Sequence, residues 1–176
     1  MVAAVAETST IVVRRATAAD ATDIASLINA AFAQYIGRLK PNPGALAETA
    51  ETITPQLALP GGGGVALRVN GAGGPPAIVG TVLFKPEERD LYFGRLAVPP
   101  YRRGQGVAGA LIRFVEDEAR RRDCAGIVLG VRIVLPENQT LFAHHGFAEI
   151  SRHAHDGYAE PTWIKMRKPL GAHRFG

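Results

Sequence analysis

Two hydrophobic periods alternate along this chain. Ile24, Leu27, Ile28, Ala31, Phe32 and Tyr35 recur at steps of three and four, the spacing of one helix face. Thr17, with Asp20 three residues later, supplies a capping-box-like start, and Gly37 supplies an end. Val107, Leu111, Phe114, Val115 and Ala119 repeat the helical step and predict a long helix over residues 104–122. Shorter helices are predicted over residues 45–53, after the loop Pro41-Asn42-Pro43-Gly44, and over 137–145, stopped by Gly146. Between them lie short apolar runs of strand length: residues 11–15, 65–69, 77–84, 91–98, 127–131, 147–152 and 162–166. Residues 61–64 read as a flexible turn and 70–76 as a Gly/Pro-rich one. The run 127–131 is continuously apolar, as a buried parallel strand is. Strand–helix–strand from 91 to 131 needs a crossover and therefore a parallel pair, whereas the hairpins before it are antiparallel. The predicted class is α/β: a mixed, largely antiparallel central sheet of about seven strands with helices on both faces.

The chain has 176 residues, which suits one domain with a full core. Residues 11–170 are read as that domain, 1–10 as a disordered N-terminus and 171–176 as a C-terminal tail. No run of about 18 apolar residues is present to span a membrane, and the first ten residues lack the basic region of a secretory signal. Cys124 is the single cysteine, so an internal disulfide and a four-cysteine zinc site are excluded. A cytoplasmic setting is expected. His144, His145, His153 and His155 have no carboxylates at ligand spacing, and no metal is expected. The net charge of +4 permits anionic ligands. The longest basic run, Arg120-Arg121-Arg122, falls in the last turn of a predicted helix, where cations complement the dipole. Nucleic acid is therefore not expected as a partner, nor is a membrane; a monomer or homodimer is.

The segment that carries chemistry is Arg102-Arg103-Gly104-Gln105-Gly106-Val107-Ala108-Gly109, between the strand 91–98 and the long helix. Glycines let a ligand approach the backbone closely. The first N–H groups of a helix are unpaired and sit at the positive end of its dipole, so a phosphate fits there. The glycines also match the dinucleotide pattern G-x-G-x-x-G, but residues 99–103 intervene after the strand, and no carboxylate ends the next one. A nicotinamide-dinucleotide enzyme is the weakest of the readings. No Lys-Ser/Thr follows the glycines, which excludes a nucleotide-hydrolase phosphate loop.

Arg103-x-x-Gly106-x-Ala108, after Leu96-Ala97-Val98-x-Pro100, resembles the acetyl-CoA motif of the GNAT superfamily of N-acetyltransferases. Glu137-Asn138-x-x-Leu141-Phe142-x-x-x-Gly146-Phe147 resembles that family's helix-to-strand motif. The order of predicted elements over residues 11–170 agrees. The resemblance implies acetyl-CoA as co-substrate and a primary amine of a small molecule or peptide as acceptor, with direct transfer in a ternary complex. It implies a bulge near the end of the strand 91–98 and a splayed parallel strand pair, with the pantetheine arm pairing to the backbone of Leu96 and Val98. It further implies cofactor-binding roles for Ala97, for Arg103, Gly104, Gln105, Gly106, Val107 and Ala108 around the pyrophosphate, and for Asn138 and Phe142.

The chain departs from the family's pattern at the catalytic positions. The tyrosine that serves many members as proton donor is here Phe142, which has no proton to give; His144 and His145 lie nearby and titrate near neutrality. The usual asparagine position holds Leu135, with Asn138 a substitute or a helix cap. The strand position where some relatives hold a glutamate base is Tyr92. Asp90, Glu87 and Glu88 precede it and are candidates for binding or deprotonating a cationic amine. Tyr92 and His145 are the catalytic candidates, and Tyr158 is a candidate to line the acceptor pocket or close a hairpin. The loss at Phe142 also motivates the alternative of a non-catalytic acyl-CoA-binding or regulatory module.

Overall fold

The computed structural model describes residues 9–71 and 73–171. The expected disordered start and tail lie outside these residues, apart from Ser9, Thr10 and Gly171; Thr10 already belongs to the first strand. The strands are β1 (Thr10–Arg15), β2 (Gly62–Val69), β3 (Ala77–Glu87), β4 (Asp90–Ala97), β5 (Gly126–Arg132), β6 (Ala148–His153) and β7 (Trp163–Pro169). The α-helices are α1 (Ala21–Phe32), α2 (Ala50–Leu57), α3 (Val107–Arg121) and α4 (Pro136–His144). The seven strands form one sheet in the order β1-β2-β3-β4-β5-β7-β6. Only β4 and β5 run parallel; the other neighbours are antiparallel.

Period-two alternation divides the strands between two cores. Leu91 and Phe93 of β4, Ile127, Leu129 and Val131 of β5, and Ile164 and Met166 of β7 pack with Val107, Leu111, Ile112 and Val115 of α3 and Phe142 of α4. On the other face, Val65, Leu83 and Ala97 meet Ile24, Ile28, Ile53 and Leu57 of α1 and α2. Full burial of a leucine or isoleucine contributes about 1.5–3 kcal/mol, so each layer is held mainly by a few such residues.

Four local readings need correction. Residues 62–64 are strand, paired with Phe84, Leu83 and Val82 of β3, and are glycines for lack of room: a Cβ on Gly62 would lie 2.6 Å from the Phe84 ring, and one on Gly64 would lie 2.8 Å from Phe114. The helix expected over 45–53 is a 3-10 turn (Gly44–Ala47) followed by α2, which Thr49 starts by exchanging hydrogen bonds with Thr52. The first helix ends at Phe32 and continues as a 3-10 turn (Ala33–Tyr35). Finally, α3 starts at Val107 rather than 104, because Gly104 and Gly106 have φ of +73° and +79°, outside a right-handed helix.

The basic run at the end of α3 is structural. Arg121, Arg122 and Arg15 of β1 all donate to the buried carboxylate of Glu118, at 2.8, 2.8 and 2.9 Å. Burial works to raise the Glu118 carboxyl, but these donors outweigh it and bring it down to about 2. Arg122 also reaches the carbonyl of Pro60, so this hub fixes the far end of α3 to β1 and to the start of β2. Cys124 is half-buried just beyond α3, and burial pushes its thiol up, which disfavours a nucleophilic thiolate.

Candidate functional site

The site originates where two parallel strands part. β4 pairs with β5 only through Asp90↔Gly126, Leu91↔Ile127 and Tyr92↔Val128. Beyond Tyr92 the strands diverge, although β4 stays paired with β3 to Ala97 and β5 with β7 to Arg132. The cause is a bulge: Leu83 faces Gly94 but Thr81 faces Ala97, so β4 holds one residue more than β3 over this step. A bulge bends and twists its strand. Arg95 sits within it at φ +53°, a left-handed conformation that costs a non-glycine residue on the order of 1 kcal/mol. Its Nε donates at 2.8 Å to Glu48, a carboxylate only 8% exposed. Burial tends to raise the Glu48 carboxyl, and hydrogen bonds from Thr52 and Arg95 more than reverse this.

The wedge between β4 and β5 opens into a cavity of about 910 Å³. Leu96, Ala97, Val98, Arg103, Gly104, Gly106, Val107, Ala108, Asn138 and Phe142 all lie on its wall. Of the predicted cofactor residues, Gln105 does not line it: its side chain accepts from Arg68 at 2.8 Å. At the wedge mouth the backbone turns through the 3-10 segment Pro100–Arg102 into α3. A Cβ built on Gly104 or Gly106 meets nothing within 4 Å, so this turn presents bare backbone and the first amides of α3 to open space. Arg103 bridges across, donating to the carbonyl of Val98 at 3.3 Å and to Gln34 at 3.4 Å. Asn138 does not cap α4, whose N-cap is Leu135.

Two wall glycines admit aromatic side chains rather than turns. The Tyr92 ring runs along β4 over Gly94, whose Cβ would lie 3.0 Å from the Tyr92 hydroxyl. The Trp163 ring covers Gly130 of β5, where a Cβ would approach it to 3.3 Å. Both residues therefore face the α1/α2 side of the wedge. Burial pushes the Tyr92 phenol up, so it stays protonated near neutrality and can donate but not act as a base. His145 lies on the opposite side: its ring packs against the first turn of α3, 3.4 Å from where a Gly109 Cβ would be. Burial lowers the His145 imidazole, with His144 adding to the effect. The two catalytic candidates thus share the cavity but flank it from different faces of the sheet. Phe142 packs edge-on between Phe93 and Phe147, with ring centroids 6.0 and 6.1 Å away.

The carboxylates expected to attract an amine are engaged elsewhere. Asp90 accepts two 2.8 Å hydrogen bonds from Arg167, and Glu87 pairs with Lys165 at 2.8 Å. Asp90 opens the closed end of β4, Glu87 is the last residue of β3 paired with it, and Glu88 lies in the turn between them. Tyr158 is on the exposed β6–β7 connection, edge-on to His155, and does not line the cavity. Sequence reasoning missed Arg95, Arg132, His155 and Trp163, which do. The available signal was a charge inside the apolar run 91–98 and another ending the apolar run 127–131. No group of histidine, cysteine or carboxylate side chains suited to a metal occurs among the described residues, and no helix among them is long and apolar enough to cross a membrane.

Residues 29–147 match the family model described as the Acetyltransferase (GNAT) family. An acetyltransferase of Agrobacterium fabrum is 37% identical over 78 residues, which are 44% of this chain and 56% of that protein, so the chain spans about half the length of this curated relative. Among solved structures, an N-acetyltransferase from Thermoplasma acidophilum, in complex with coenzyme A, superposes with a TM-score of 0.72 at 13% identity, over 92% of this chain and 99% of that one. A GNAT-family acetyltransferase from Staphylococcus aureus gives 0.70 at 17% identity, over 92% and 100%. These two likenesses are of fold.

Proposed function

The chain belongs to the GNAT acetyltransferase family, and on that premise we propose that it binds acetyl-CoA in the β4–β5 wedge and transfers the acetyl group directly to a primary amine. The observation that carries this reading is the junction of unpaired strand backbone with an open glycine turn at the start of α3. Buried backbone polar groups require partners, and residues 93–97 of β4 have none from β5. The amides of an extended pantetheine arm supply such partners at Leu96 and Val98. The backbone at Arg103, Gly104, Gln105, Gly106, Val107 and Ala108 holds the pyrophosphate, helped by the dipole of α3. Gln105 contributes there through its N–H alone, its side chain being tied to Arg68.

Acetyl-CoA supplies an activated thioester: the amine nitrogen bonds to the acetyl carbon, the C–S bond breaks, and the amine's proton passes to the thiolate. A thiolate whose acid has a pKa of about 8.5 is a fair leaving group, so positioning provides much of the rate. Arg95, Arg102, Arg103, Arg113 and Arg132 line the cavity, against the single carboxylate Glu137. This positive wall lowers the pKa of an incoming ammonium and favours the neutral, nucleophilic amine. The protonated Tyr92 hydroxyl, which lies over Gly94 of the open strand, is the donor that replaces the tyrosine absent at Phe142.

Calorimetry with acetyl-CoA, followed by thiol release across an amine panel, tests the reading. Binding with turnover supports it; binding without turnover across the panel supports the acyl-CoA-binding module that Phe142 suggests. Tyr92→Phe is expected to lower kcat by about 10–100-fold with acetyl-CoA affinity unchanged. His145→Ala is expected to leave kcat within about threefold, since that ring faces α3; a loss of 100-fold would make His145 the proton donor.

A further inference from the structure

The α1/α2 side of the wedge, where an acceptor must sit, has walls of two kinds. Phe32, Tyr35 and Leu39 on one side and Trp163 on the other are apolar. The charge set among them is the guanidinium of Arg132. Strand alternation puts Arg132 on the same face of β5 as Gly130, opposite the core residues Leu129 and Val131, and β7 pairs it directly with Trp163. Among the described residues no carboxylate forms an ion pair with Arg132. It donates to the carbonyl of Pro41 at 2.8 Å and to that of Lys40 at 3.4 Å. Those bonds use two of an arginine's five N–H donors, and among the described residues the rest have no protein acceptor. Arg95, the other arginine on this side, is by contrast bound to a carboxylate, that of Glu48.

From this we infer that the acceptor is an amine carrying an anionic group, a carboxylate or phosphonate, on an apolar body, and that Arg132 is the residue that binds the anion. The inference rests on the wedge being the acetyl-CoA site and narrows the acceptor class for it. A planar guanidinium with a free edge matches a carboxylate or phosphonate in a two-pronged geometry. Arg132 is half-buried, and its cation has no counter-ion among the described residues; an anionic acceptor supplies one. A polycation such as a polyamine would instead meet Arg132 and Arg95 with no acidic group on this side of the cavity to offset them. Glu137 belongs to the first turn of α4, and the Glu48 carboxylate is already held by Arg95, Thr52 and Gln56. The aromatic walls favour an aromatic or branched side chain on the acceptor.

The test uses the whole chain and four probes: L-phenylalanine, L-phenylalaninamide, 1-amino-2-phenylethylphosphonate and spermidine. Trp163 is the only tryptophan in the chain, so its fluorescence reports binding at this wall directly. Acetyl-CoA affinity is measured first by calorimetry; its absence would refute the wedge as the acetyl-CoA site, and the acceptor assignment with it. With acetyl-CoA binding established, the protein loaded with coenzyme A is titrated with each probe. The expected result is binding of the carboxylate or the phosphonate at least 10-fold tighter than the amide, with spermidine weakest, and kcat/KM in the same order. Whichever anion binds tighter identifies the natural group. Arg132→Gln should erase the acid-over-amide preference while acetyl-CoA affinity stays within twofold, and Arg132→Lys should restore part of it. If Arg132 served only to tether residues 40–41, Arg132→Gln would weaken acid and amide alike. That outcome, or amide or spermidine binding as tightly as the acids to the wild-type chain, overturns the assignment.

Discussion

At its first three residues β4 is held from both sides, and at its last five from one. Asp90, Leu91 and Tyr92 pair with β3 and β5 together. Around them Asp90 is locked to Arg167 and Glu87 to Lys165, while Leu91 is fully buried beneath. From residue 93 onward β5 departs, a bulge puts Arg95 in a left-handed conformation with its guanidinium held by Glu48, and the cavity wall beyond carries further arginines. One end therefore satisfies its polar groups within the protein, and the other leaves them for something else. The comparison teaches that the wedge is not a loosening of the sheet but a stop: pairing is anchored by ions at the first shared residue, runs for three pairs and then ends.

The strongest way to break the comparison is at Phe93, the first residue past the last shared pair. It is 1% exposed and meets Phe142 and Phe147 edge-on. Phe93→Ala is expected to cost about 3–5 kcal/mol in a urea titration, because closed and open ends share this aromatic support. Next, Gly106→Trp should separate the two ends. It places a side chain in the open approach to α3 and should weaken acetyl-CoA binding by about 100-fold, or ~2.7 kcal/mol. The thermal midpoint should fall by no more than about 5 °C; a variant that binds normally would remove the wedge from the cofactor reading.

Arg95→Ala sharpens the comparison from the bulge. It strips a donor from buried Glu48, and since the arginine is partly exposed the expected loss is about 1–2 kcal/mol. Arg95→Gly should lose less, because glycine relieves the positive φ. The smallest effect is expected at the closed end. Asp90→Asn should cost about 1 kcal/mol or less at pH 7, the pair with Arg167 being screened by solvent. Hydrogen bonding from Arg167 holds the folded Asp90 carboxyl below its ordinary value. Its contribution is therefore full above the unfolded pKa of about 3.9 and is lost as pH falls through the lower folded value. The difference between wild type and Asp90→Asn in denaturant midpoints should shrink accordingly from pH 7 towards pH 3.

The sequence was readable wherever one residue's neighbours along the chain decided its role. The α3 face, the crossover and the glycine turn follow from periodicity and glycine chemistry. Glycines read as flexibility failed: Gly62, Gly63 and Gly64 are glycines because Phe84, Val82 and Phe114 leave no space for a Cβ, and those contacts come from distant segments. The same holds at the site. Asp90 and Glu87 looked free because Arg167 and Lys165 lie more than seventy positions away. Arg132 looked like a strand end, and its position beside Trp163 depends on a pairing with β7 that no local pattern announces.

Three shared residue pairs between β4 and β5 also have a mechanical consequence. Strands β1 to β4 make one plate and β5 to β7 another, and the line through Tyr92 and Val128 is the seam between them. Phe142 and α3 brace the seam from one side; on the other, Arg132 ties the second plate to the carbonyls of Lys40 and Pro41 in the loop after α1. Such an assembly bends most easily at the seam, so the gap between the plates is its softest dimension. A ligand arm lying in the gap and bonded to both edges would turn two plates into one. The amides of residues 93–97 and 129–132 should then show the largest gain in hydrogen-exchange protection on ligand binding, and β1 and β6, at the outer rims, the least.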